Sequence, residues 1–222
     1  MRRYVDLKDI SDGKLYGLTD MVKADCHGCK GCHACCTGMG DSIVLNPLDM
    51  WRLTRALGCP FQQLLALGKI ELHIVDGCIL PNLAMTGTEE HCSFLDADGR
   101  CSVHSARPDI CRLFPLGRVY EGEDFHYFLQ SGECPYPSKT KVKVSKWIDT
   151  PLYESNRQFL LQWHKLLKQV EAKQPGLSEE ERKTLCMTLL GTFYNWNCSD
   201  EKEFYEQFRA AATEFCSQFE LI

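Results

Sequence analysis

Hydrophobic and polar positions follow two rhythms along this chain, and the change falls near residue 148. Before it, apolar runs are short and broken by Gly, Pro and Asp. Ser42 to Leu45 is a brief apolar stretch that predicts a strand. Asn46-Pro47 then opens a helix, because Asn caps the free amides and Pro suits the first helical position. That helix is expected to reach Leu57 and stop at Gly58, and a shorter one spans Pro60 to Leu67. Lys69 to Val75 and Cys78 to Leu80 flank Asp76-Gly77, the signature of a two-residue hairpin turn. Gly117 to Tyr120 and Phe125 to Gln130 predict another hairpin. Between these, Cys92 to His104 reads as a hairpin turning at Asp98-Gly99, with Cys92 and Cys101 on neighbouring strands. Pro108 opens a helical turn that carries Cys111.

From Leu152 the apolar positions recur at helical spacing, through Phe159, Leu160, Trp163, Leu166, Leu167 and Val170. Pro175-Gly176 interrupts. Ser178 and Glu181 form a capping box for a helix reaching Asn195. A last helix puts Phe204, Phe208, Ala211, Ala212, Phe215 and Phe219 on one stripe, expected to face a core. The predicted organisation is a polar leader (1–20), a cysteine-bearing domain (21–147) and a helical appendage (148–222).

Composition narrows the function classes. The chain has 222 residues, 44% hydrophobic and 25% charged, with a net charge of −5. That is ordinary globular composition, and the charge gives no support for general nucleic-acid binding. No apolar run approaches the roughly 20 residues of a membrane span. The opening MRRYVDLKDISDGK lacks the apolar core of a signal peptide. The expected setting is the cytoplasm, where thiols stay reduced. A membrane or nucleic-acid partner is not expected, while a protein partner or protein substrate stays open.

The chemistry lies in the 14 cysteines. Cys26 to Cys36 reads C-H-G-C-K-G-C-H-A-C-C. Lys30, Gly28, Gly31 and two histidines make it no buried apolar segment, and bridging so many neighbours by disulfides is sterically awkward. Repeated C-x-x-C spacing gathers sulfurs within a turn, as zinc and iron–sulfur sites require. In a helical conformation Cys29, Cys32 and Cys36 share a face and Cys35 points about a quarter-turn away, toward a second site. Cys26, Cys29, Cys32 and Cys36 reproduce the C-x2-C-x2-C-x3-C spacing of bacterial ferredoxins, without the following proline. A second cluster comprises Cys92, Cys101, Cys111 and Cys134. Cys186 and Cys216 read as core residues and Cys198 as a loop cysteine, while Cys59 and Cys78 fit either role. His27, His33, His91 and His104 could ligate zinc or orient ligands. Arg100, Arg107, Arg112 and Arg118 could offset the charge of about −2 on a four-thiolate site.

These residues resemble the CxxCxxCC cysteine-cluster family, the YkgJ-type zinc- or iron-chelating domains. Cys29-Lys-Gly-Cys32-His-Ala-Cys35-Cys36 matches its signature, and Asp49 with Arg52 resembles the D-x-x-R that follows. Cys92-Ser-Phe-Leu, Gly99-Arg-Cys101-Ser-Val-His104, Arg107-Pro-Asp-Ile-Cys111-Arg112, Phe114-Pro115 and Cys134-Pro135 match the rest, so the resemblance covers roughly residues 21 to 147. It implies ligand roles for Cys29, Cys32, Cys35, Cys36, Cys92, Cys101, Cys111 and Cys134. The flagellin lysine N-methylases look similar in this region, although those chains are longer. The expected fold is α+β: a small metal-organised domain of short helices and β-hairpins with a C-terminal three-helix appendage. The leading expectation is an iron–sulfur cluster of the 4Fe–4S type, or zinc, serving electron transfer or a redox enzyme. The alternatives are a protein lysine methylase and a zinc-stabilised interaction module without catalysis. An open ligand position would favour an enzyme, and a closed shell of four cysteines a structural role.

Overall fold

The computed structural model describes residues 6–28 and 32–221. Its elements run α1 (Leu7–Ile10), β1 (Ser11–Tyr16), β2 (Met21–Asp25), α2 (Pro47–Leu57), α3 (Phe61–Ala66), β3 (Ile70–Val75), β4 (Cys78–Leu83), β5 (Met85–Thr86) and β6 (His91–Cys92). Then follow α4 (Asp109–Leu113), β7 (Leu116–Glu121), β8 (Asp124–Gln130), β9 (Thr140–Lys143), α5 (Val144–Ile148), α6 (Tyr153–Lys173), α7 (Glu179–Phe193) and α8 (Glu201–Gln218). Short 3-10 turns occupy Ala34–Cys36, His104–Ala106 and Gln174–Gly176. The fold is α+β, with small sheets and longer C-terminal helices. Packing divides it into two compact units that cut across the sequence divisions. One joins Val44–Asn82 to the described residues from Pro151 onward; the other joins the described residues up to Ile43 to Leu83–Thr150.

In the helical unit, α2 forms as its sequence dictates. Asn46 Oδ1 accepts from the Asp49 amide at 2.9 Å, and Asp49 Oδ2 accepts from the Asn46 amide at 3.0 Å. Gly58 ends the helix in the left-handed region at φ 59°. Asp76 and Gly77 take φ of 48° and 79°, as a two-residue hairpin turn between β3 and β4 requires. Ser42 to Leu45 forms no strand; Val44 makes a single bridge to Asn82. Helices α6 to α8 bury the aromatic stripe, with Phe204, Phe208 and Phe215 almost wholly inaccessible. Phe159 meets Phe208 edge-on at 4.6 Å between centroids, and Trp163 lies 5.3 Å from Phe193. This core extends to α2. Trp51 packs 5.8 Å from Phe204, and its Nε1 donates to the Cys198 carbonyl at 3.3 Å. Arg52 places Nε and Nη2 each 2.9 Å from Glu201 Oε1. The D-x-x-R residues therefore serve this unit: Asp49 caps α2 and Arg52 ties it to α8.

In the other unit the antiparallel sheet runs β1-β8-β7, with Gly117 opposite Phe128 and Arg118 opposite Tyr127. The N-terminal stretch is thus part of a sheet, since Tyr16 pairs with Tyr127. β2 pairs with β9, and β5 with β6. Val22, Ala24, Leu116, Phe125, Tyr127 and Val144 form buried parts of this unit.

Candidate metal centre

The tail of the cysteine run is a 3-10 turn, closed by the Cys36 amide donating to the His33 carbonyl at 2.8 Å. Its next residue, Thr37, bridges antiparallel to His91, and the Gly38 amide donates to the Glu90 carbonyl at 3.0 Å. Antiparallel register then sets Cys36 beside Cys92. β6 holds Cys92 opposite Met85. The loop to Cys101 is wound around Asp96, whose Oδ1 accepts from the amides of Asp98 at 3.0 Å and Arg100 at 2.8 Å. The expected Cys92–Cys101 hairpin is not formed. Cys92 pairs within β5–β6, whereas Cys101 bridges to Leu95, because the Asp96 turn closes the loop early. Gly99, at φ 71°, lets this turn approach the run: a Cβ there would stand 3.0 Å from His33 Nδ1.

Five thiols on three segments influence one another. Cys36 hydrogen-bonds Cys35 and lies within electrostatic reach of Cys92 and Cys111, while Cys101 lies within reach of Cys35. Cys35 and Cys36 share a 3-10 turn in place of the expected α-helical conformation. Cys36 acts as donor, so its thiol is pushed upward, chiefly by that bond and then by burial. The same bond, against burial and aided by Arg107, holds Cys35 at about 7. Burial pushes Cys101 up, although the Val103 amide bonds its sulfur and Arg107 favours its thiolate.

Cys134 lies on the turn after β8, where Lys139 Nζ donates to its carbonyl at 2.6 Å. The neighbouring Tyr136 ring stands 6.1 Å from that of His27, beside the start of the run. Cys32 is partly exposed, and Cys29 lies outside the described residues. Cys26 is buried at the end of β2. His91 and His104 have other partners. His91 has Nδ1 3.2 Å from Thr37 Oγ1 and Nε2 3.1 Å from Glu89 Oε2. His104 meets the Arg107 guanidinium, and its basicity is lowered by burial and then by Arg107 and Arg112. Cys186 is a core residue, its thiol 3.4 Å from the Gly77 carbonyl oxygen.

The donor chemistry suits a thiophilic metal. Sulfurs predominate, an amide reaches one of them, and the Arg107 Nε, whose guanidinium acts on Cys35 and Cys101, is buried without a hydrogen-bond acceptor among the described residues. Among the described residues, no three Cys, His, Asp or Glu side chains are grouped closely enough to hold an ion. No helix among them is long and apolar enough to cross a membrane. Comparison with curated proteins and with solved structures gives no match. Residues 28–135 match the CxxCxxCC family model, described as "Putative zinc- or iron-chelating domain". Over residues 28–135 the chain is therefore similar to the CxxCxxCC family.

Proposed function

We propose that this domain holds an iron–sulfur cluster and works in electron transfer. The residues that would hold metal are drawn from Cys29, Cys32, Cys35, Cys36, Cys92, Cys101, Cys111 and Cys134. The observation that carries the reading is a set of interacting thiols, Cys36 with Cys35, Cys92 and Cys111, and Cys35 with Cys101, with Arg107 acting on Cys35 and Cys101. Thiolate ligands suit an iron–sulfur cluster, which takes four of them. Bound there, an iron–sulfur cluster supplies a one-electron couple whose potential responds to charge and hydrogen bonds at the sulfurs. The protein's part is to offer sulfur in the right state. Cys35, held at about 7 by the Cys36 thiol, is substantially thiolate at neutral pH. Arg107 offsets negative charge, and the Val103 amide bonds the Cys101 sulfur.

A second reading, a structural zinc module, draws on the brevity of the elements bearing the cysteines. Ala34–Cys36 and His91–Cys92 are too short to stand alone, and a metal linking them would supply folding energy. Preparation without oxygen separates the readings. The first expects brown protein with iron and acid-labile sulfide in similar amounts, bleaching on reduction. Colourless protein with stoichiometric zinc and no sulfide would establish the second.

A further inference from the structure

Helix α4 has five residues, with Cys111 at its centre. A helix of that length has no stability of its own, so its position depends on what grips it. Asp109, two residues before Cys111, accepts from Arg118 Nη2 at 2.8 Å, and the two side chains are only 11% and 12% exposed. Arg118 belongs to β7. Its guanidinium lies 4.8 Å from the Phe125 centroid and 5.8 Å from that of Tyr127, both on β8, and it also hydrogen-bonds the Tyr120 side chain. The guanidinium expected from the sequence to balance metal-site charge is thus directed to Asp109 and held between aromatic faces.

A buried ion pair gives little net stability over a well-packed apolar pair. What it adds is direction, because the planar guanidinium donates through Nη2 to Asp109 while it also lies over the Phe125 and Tyr127 rings and bonds Tyr120. We infer that Arg118 and Asp109 are positioning residues for Cys111: the pair locks α4 to the β7–β8 hairpin and so fixes where this thiol meets Cys36. The inference rests on the reading of Cys111 as a metal ligand.

The test uses full-length protein prepared without oxygen, as Arg118→Lys, as the double variant Asp109→Leu with Arg118→Met, and as Cys111→Ala. Three quantities are read: melting temperature, metal retained against a chelator, and the alkylation rate of Cys111 in metal-free protein. Lysine keeps the charge and loses the planar guanidinium; the double variant replaces the pair with apolar packing. Both are expected to melt near the parent yet lose metal about 10- to 100-fold more readily, the usual effect of removing a group that orients a ligand. Cys111 alkylation should also change severalfold. Should the double variant fail to fold, Arg118→Lys decides. Parental retention and parental alkylation in Arg118→Lys, or metal loss only in step with a lowered melting temperature, overturns the inference. If Cys111→Ala keeps its metal, the ligand reading of Cys111 fails and the inference with it. If Cys111→Ala loses metal and Arg118→Lys does not, only positioning fails.

Discussion

The Tyr194 hydroxyl donates to the backbone oxygen of Leu45 at 3.0 Å, across 149 residues of sequence. Both groups are buried, and Tyr194 also packs 6.1 Å from Phe61. The segment carrying α2 and α3 is therefore completed by the C-terminal helices, although it falls within the residues that match the family. Tyr194→Phe should cost about 1–3 kcal/mol, because the Leu45 carbonyl loses its buried donor; chemical denaturation measures it. Truncation after Thr150 should expose residues 44–82 to protease while the β7–β8 hairpin keeps its amide protection. Equal protection of both stretches would contradict the division into units.

The thiol pair offers a direct chemical test. In Cys36→Ala, Cys35 loses its hydrogen-bond donor, and its acidity should return toward that of a free thiol, near 8.5. Alkylation of Cys35 in metal-free protein at pH 7, followed by mass spectrometry, should slow about fivefold or more. An unchanged rate would mean that Arg107 alone maintains the thiolate.

Ligand and packing cysteines should separate cleanly. Cys36→Ala, Cys92→Ala and Cys101→Ala should each lower metal per chain after preparation without oxygen. Cys186→Ala and Cys216→Ala should retain it, with Cys186→Ala costing about 1 kcal/mol through the lost contact with the Gly77 carbonyl. Metal loss from the helix variants alone would reverse the assignment.

The helical unit should lose stability in alkali in a way traceable to Cys78. Burial, with Cys186 and Asp76 nearby, pushes this thiol up to about 12. The folded state holds the proton more tightly than the unfolded chain does. The contribution is therefore full below about pH 8.5 and is lost as pH rises toward the folded value. Cys78→Ala should flatten the fall in stability between pH 9 and 11 by at most about 1.4 kcal/mol per pH unit. Parallel curves for parent and variant would reject this.

Much of the local structure was legible because it is locally encoded. Asn46, Pro47, Asp49 and Gly58 carry the start and stop of α2 within its own span, and Asp76-Gly77 names its turn. Ser178 and Glu181 do the same for α7, where the Ser178 hydroxyl accepts from the Glu181 amide at 3.3 Å. The family's cysteines were equally plain, since spacing survives in sequence. What remained hidden depends on distant partners. Nothing near Arg52 announces Glu201, and nothing near Thr37 announces His91. Asp98-Gly99 announces the turn before Cys101, but nothing near Cys92 announces that it pairs with Met85 instead of with the strand of Cys101. Arg107 and Arg118 look alike in sequence, and Asp109 distinguishes them only once β7 lies against α4.

The chain leaves the sheet-bearing unit at Ile43 and re-enters it at Leu83, and the Leu83 amide donates to the Ile43 carbonyl at 3.0 Å. For the cysteine clusters these two residues are already neighbours, whatever the chain does between them. Residues 44–82 thus behave as a cassette spliced into a closed joint. Their length and content are therefore expected to bear little on the spacing of the thiols in space.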